Sequence, residues 1–70
     1  MPKSMLKPYL GKKVTVFGKH GTYVGELNER VKGSGGLYLI VEGFRRLFFD
    51  AFAVRRSVEH DNGTICLYLR

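Results

Sequence analysis

The sequence predicts a mainly all-β fold: a small, strongly bent antiparallel barrel of five to six strands behind a short N-terminal helix, one domain spanning residues 1–70. Three observations carry this. Short runs rich in β-branched and aromatic residues alternate between apolar and polar positions. Nine glycines divide those runs with turn signals. One glycine, Gly25, falls inside a strand pattern, where a small barrel needs a bend.

The first segment, SMLKPYLG, suits about two helical turns. Ser4 is placed as an N-cap, and Met5, Leu6 and Leu10 supply apolar contacts. Pro8 removes a backbone donor in the second turn and keeps the helix short. KKVTVFG (12–18) then alternates, with Val14 and Val16 on one face and Thr15 and Phe17 on the other. GKHG (18–21) is a glycine-flanked turn leading into the longer strand TYVGELNERV (22–31). KGSGG (32–36) is the loosest turn, and LYLIVE (37–42) follows with Leu37, Leu39 and Val41 facing one way.

RRLFFDAFAVRR (45–56) is apolar enough for a helix, but its phenylalanines and valine favour two strands, around RRLFFD and AVRRSVE, joined near Asp50–Ala53. Adjacent strand residues point to opposite faces, so each arginine pair sends one guanidinium to each side. About half of the aromatics pack inward. HDNG (60–63) signals a type I′ hairpin centred on Asn62–Gly63. TICLYLR (64–70) closes the chain with Ile65, Leu67 and Leu69 on one face. Outward residues such as Phe17, Tyr38, Ile40 and Tyr68 then need a partner, a ligand or a second copy of the chain.

The residues LKPYLGKKVTVFGKHGTYVGELNE, followed after a loop by LYLIVEG, resemble the first motif of Sm-like proteins, small SH3-like barrels. Leu10, Gly11, Lys12, Val14, Val16, Gly21, Gly25, Leu27, Leu37 and Leu39 stand in the family's order, and the likeness covers residues 6–43. It implies a bent five-stranded barrel behind a short helix, RNA binding, and rings in which the fourth and fifth strands of neighbours pair. Val31 and Gly36 stand where the family carries the aspartate and asparagine that hold a base in its central pore, so that site does not transfer. The family's second motif is missing, and NGTICLYL extends beyond its minimal barrel.

Charge points the same way. Twelve Lys and Arg against six Asp and Glu give a net charge of +6 and a pI near 9.8, which favours polyanionic partners. The basic and aromatic candidates for a nucleic-acid surface are Lys12, Lys13, Lys19, His20, Tyr23, Phe44, Arg45, Arg46, Arg55 and Arg56. Small barrels bind single strands by combining such a basic track with rings on which bases stack. A chromatin-type barrel gripping duplex DNA and a protein–protein assembly module use the same residue types.

Catalytic and cofactor chemistry are not legible. His20 lacks a nucleophile or carboxylate at a recognisable spacing, His60 beside Asp61 reads as a surface-turn histidine, GSGG lacks the lysine of a phosphate loop, and His20, His60, Asp61 and Cys66 lack zinc-ligand spacing. The sequence reads as a binding protein without cofactor or metal. Cys66 is the only cysteine, which suits a reducing cytoplasm. No apolar run approaches the roughly 18 residues of a membrane span. The expected partners are nucleic acid, RNA ahead of DNA, and further copies of the chain through edge strands, with no membrane.

Overall fold

A computed structural model describes residues 3–30, 36–41 and 43–70. Val31, the first four residues of the KGSGG turn and Glu42 lie outside the described residues, as do the expectations placed on them. The strands are β1 (Lys13–Gly18), β2 (Gly21–Glu29), β3 (Gly36–Val41), β4 (Arg45–Asp50), β5 (Val54–Glu59) and β6 (Ile65–Leu69). They form one sheet in the order β4-β3-β2-β1-β6-β5. The fold is mainly β, as the alternation predicts.

The expected N-terminal helix is reduced to two 3-10 turns, Lys3–Met5 and Lys7–Tyr9. Pro8 lies in the second, and its missing N–H bars an α-helix there. Leu6, between the two turns, is fully buried, and Leu10 packs against the core. Met5 does not join them. It is 60% exposed, because such short turns aim only Leu6 squarely at the sheet.

Gly25 stands where β2 passes from one neighbouring strand to the other. β1 pairs with Gly21–Glu26 of β2, and β3 pairs with Gly25–Glu29, so the two halves of β2 serve different neighbours. Gly25 lies in the overlap. A Cβ there would run into the Ile40 carbonyl oxygen, lying 2.7 Å from its carbon and 3.2 Å from Leu39 Cγ. Both ladders stay in register through Gly25. The glycine at position 25 therefore answers to close backbone approach rather than to an inserted residue.

β4 and β5 stand at opposite ends of the strand order, yet only the 3-10 turn Ala51–Ala53 joins them. Six strands laid flat at about 4.8 Å spacing would put their edges about 24 Å apart. A three-residue link spans at most about 14 Å. The sheet must therefore curl until its two edges come near one another at this link. Among the described residues no ladder joins β4 to β5. Arg70 pins the link, donating from its backbone N–H to Ala53 O (2.9 Å) and from Nε to Phe52 O (3.0 Å).

One ladder departs from the antiparallel expectation. β1 and β6 run parallel, from Val14 beside Ile65 to Phe17 beside Tyr68. The curl delivers β5 to the far side of the sheet, and the β5–β6 hairpin then turns back, so β6 lies between β5 and β1. The hairpin turn also differs from the sequence reading. Gly63 N–H donates to His60 O (2.9 Å), which centres the turn on Asp61–Asn62, with Gly63 at φ 86°. Three loop residues with a left-handed glycine last suit the strand twist as well as a two-residue turn does. Asn62 Oδ1 accepts from Thr64 N–H (3.0 Å), occupying the asparagine expected at the turn centre.

Inside the curl the alternation holds. Val14, Val16, Leu27, Leu37, Leu39, Val54 and Leu67 are at most 1% exposed and form one core with Leu6, Ala51 and Ile65. Each valine, leucine and isoleucine in this set contributes roughly 1.5–3 kcal/mol by leaving water. Leu47 and Phe49 of β4 pack against this core, while Phe48 and Phe52 are 53% and 70% exposed. The phenylalanines of the arginine-flanked stretch are thus divided between core and surface.

Candidate nucleic-acid interface

The inward set Leu37, Leu39, Leu47 and Phe49 leaves Tyr38, Ile40, Arg46 and Phe48 on the outer face of β3 and β4. There Tyr38 faces Phe48 and Ile40 faces Arg46. The Tyr38 and Phe48 ring centroids are 5.7 Å apart at 51°. The Arg46 guanidinium carbon lies 5.2 Å from the Tyr38 centroid, on the diagonal that a strand pair offers long side chains. Arg30, just past β2, lies 5.2 Å from the Phe48 centroid. Two arginines and two rings therefore form one array on this half of the sheet.

A second array occupies the other half. Phe17 and Tyr68 are neighbours across the parallel β1–β6 ladder, and their rings stack at 4.9 Å and 14°. The Arg56 guanidinium carbon lies 4.5 Å from the Tyr68 centroid. This contact depends on an irregularity in β5. Val54 pairs with Leu69 and Arg56 pairs with Tyr68, so Arg55 is an extra residue in the ladder. Without an extra residue, Val54 and Arg56 would share a face. With it, Val54 enters the core while Arg56 turns outward.

A cation over a ring face is attracted by the ring quadrupole, by about 0.5–1 kcal/mol at exposed sites. The larger effect is on geometry. A guanidinium placed over one ring keeps part of its planar surface and a rigid fork of N–H donors available to a ligand. Arg30, Arg46 and Arg56 are all exposed, so those groups face solvent.

The sequence candidates sort accordingly. Arg46 and Arg56 join the arrays. Arg45 opens β4, and Arg55 is the bulged residue; both are exposed. Lys19 and His20 form the two-residue loop between paired Gly18 and Gly21. Together with Tyr23 they line a cleft of about 160 Å³ against Leu47, Phe48 and Phe49 of β4. Phe44 lies outside this cleft, in the turn before β4, and is 76% exposed. Lys12 precedes β1, and Lys13 lies opposite Glu26 in the β1–β2 ladder, beside a larger hollow of about 390 Å³ formed with Thr15, Val24, Ile65 and the 62–64 turn.

Sequence reasoning did not place Arg30 or Phe48 in the site, and it left Phe17, Tyr38 and Tyr68 as outward residues lacking a partner. Alternation alone marks Phe48 as outward once Leu47 and Phe49 face the core. Arg30 has no such signal, because its contact depends on the curl. Among the described residues, no group of three or more His, Cys, Asp and Glu side chains is placed to hold a metal ion. No helix among them is long and apolar enough to cross a membrane.

No family model, curated protein or solved structure matches the chain.

Proposed function

We propose that this protein binds single-stranded nucleic acid, RNA ahead of DNA, through arginines seated on aromatic rings over the outer face of an Sm-like sheet. The observation that carries the reading is the set of three such pairs, Arg30 on Phe48, Arg46 on Tyr38 and Arg56 on Tyr68, in a chain of net charge +6. Unpaired bases stack on guanidinium planes and on aromatic faces, whereas the bases of a duplex are already stacked on each other. The exposed lysines and the remaining arginines attract the phosphates. The preference for RNA rests on the Sm-like resemblance, and the setting proposed is the cytoplasm.

The same reading includes self-association. β4 and β5 end the sheet, so each has one side on which no strand is paired among the described residues. Exposed Phe48 and Phe52 lie on and beside those edges. An assembly module without nucleic acid is the second reading, favoured by these open edges.

Fluorescence anisotropy with labelled single-stranded RNA, single-stranded DNA and duplex DNA, at low and near-physiological salt, tests the proposal. Tighter binding to single strands, with affinity surviving at the higher salt, supports it. Equal binding that vanishes with salt leaves only charge attraction and favours the assembly module.

A further inference from the structure

A cleft lies between the β1–β2 loop and edge strand β4. Gly18, Tyr23, Leu47, Phe49 and Leu69 give it apolar and aromatic walls, and Lys19 and His20 stand on its loop side. Phe48 lines it as well, and the same side chain meets Arg30 and Tyr38. Its volume, about 160 Å³, is well below the roughly 300 Å³ at which drug-sized sites begin. A single planar ring system is the occupant of that size.

We infer that this cleft is a base subsite: it takes one unpaired nucleobase, edge first, with an adjoining phosphate held by Lys19. The inference rests on the single-strand reading above. Two features argue for a nucleotide rather than an apolar peptide side chain. Among the described residues the lining includes one lysine, one histidine and no carboxylate, which matches an anionic group joined to a ring. Phe48 then forms a shared wall, so the next base along the strand meets the Tyr38–Phe48 array with Arg30 and Arg46 beside it. Tyr23 supplies a phenol close to the loop, its oxygen 3.7 Å from where a Cβ on Gly21 would lie. That hydroxyl is a donor and acceptor for a base edge.

The test is nuclear magnetic resonance on the full chain, with labelled leucine methyls and arginine Nε. Three probes are titrated: a uridine hexamer, an abasic ribose-phosphate hexamer of the same charge, and an acidic peptide rich in leucine. The expected result is that Leu47 and Leu69 methyls shift saturably with the uridine hexamer and not with the abasic one. Lys19→Ala is expected to weaken the uridine hexamer about 5-fold while its amide spectrum stays native. If the arginine resonances shift and the Leu47 and Leu69 methyls do not, the subsite is refuted and the outer-face reading stands. If neither set shifts, both fail. Stronger methyl shifts with the peptide than with the hexamer overturn the subsite in favour of a protein partner.

Discussion

Arg56 and Tyr68 face each other across β5 and β6, guanidinium carbon 4.5 Å from ring centroid, and the extra residue Arg55 is what turns Arg56 to that face. Two adjacent arginines thereby acquire different environments. Arg56 is held against a ring, while the bulged Arg55 is exposed and makes no ring contact among the described residues.

The difference gives a direct test of stacking against charge. Arg56→Lys keeps the charge and loses the plane. It is expected to weaken single-stranded RNA about 5-fold, on the order of 1 kcal/mol. The slope of log affinity against log salt should stay unchanged, because no phosphate contact is lost. Arg55→Lys should remain within about twofold of the parent by the same argument. Anisotropy titrations at three salt concentrations measure both; equal effects from the two variants would rule out the stacking role.

Gly25 lies against the β3 backbone at Ile40. In Gly25→Ala the new methyl group meets the Ile40 carbonyl, a backbone group that cannot rotate away. Overpacking of this kind costs about 3 kcal/mol or more, in a domain whose whole stability is roughly 4–10 kcal/mol. The melting temperature should fall by about 12 °C or more. A circular-dichroism melt within a few degrees of the parent would show that β2 and β3 can separate without loss.

Phe48 and Phe49 are adjacent and face opposite ways, so their truncations should separate. Phe49→Ala removes a ring packed on the core and is expected to cost about 2–4 kcal/mol, scaled down from a fully buried phenylalanine. Phe48→Ala, at a 53% exposed edge position, should cost far less stability. Under the self-association reading it lowers the mass in solution instead. Sedimentation velocity beside urea denaturation distinguishes the two; a Phe48→Ala protein of unchanged mass would remove that residue from the interface.

Cys66 is 6% exposed, between Thr15 on β1 and Val58 on β5. Its thiol is covered on the outer face by neighbouring side chains and by the two ladders, so its labelling should be slow in the native state and rise with denaturant as β6 is released. Fast labelling under native conditions would mean that β6 detaches by itself. Gly25→Ala, by forcing β2 and β3 apart, should accelerate labelling in proportion to its lost stability.

The sequence by itself determined the strands and their inward faces. Alternation has a period of two along a strand, so Val14 and Val16, Leu37 and Leu39, and Ile65 and Leu67 are sorted by neighbours in the chain. The β1–β2 loop at Lys19–His20 and the need for glycine at position 25 are local in the same sense. What only the tertiary structure decided is every feature set by pairing between distant segments. These are the parallel seat of β6 beside β1, the bulge at Arg55, the one-residue displacement of the 61–63 loop, and the meeting of Arg30 with Phe48. Each depends on how a curled sheet brings its edges together across many residues of chain. A single sequence records which side chains prefer water, but not which distant strand will lie beside them. For that reason the arginine pairs could be singled out from the sequence, while the rings beneath Arg46 and Arg56 could not.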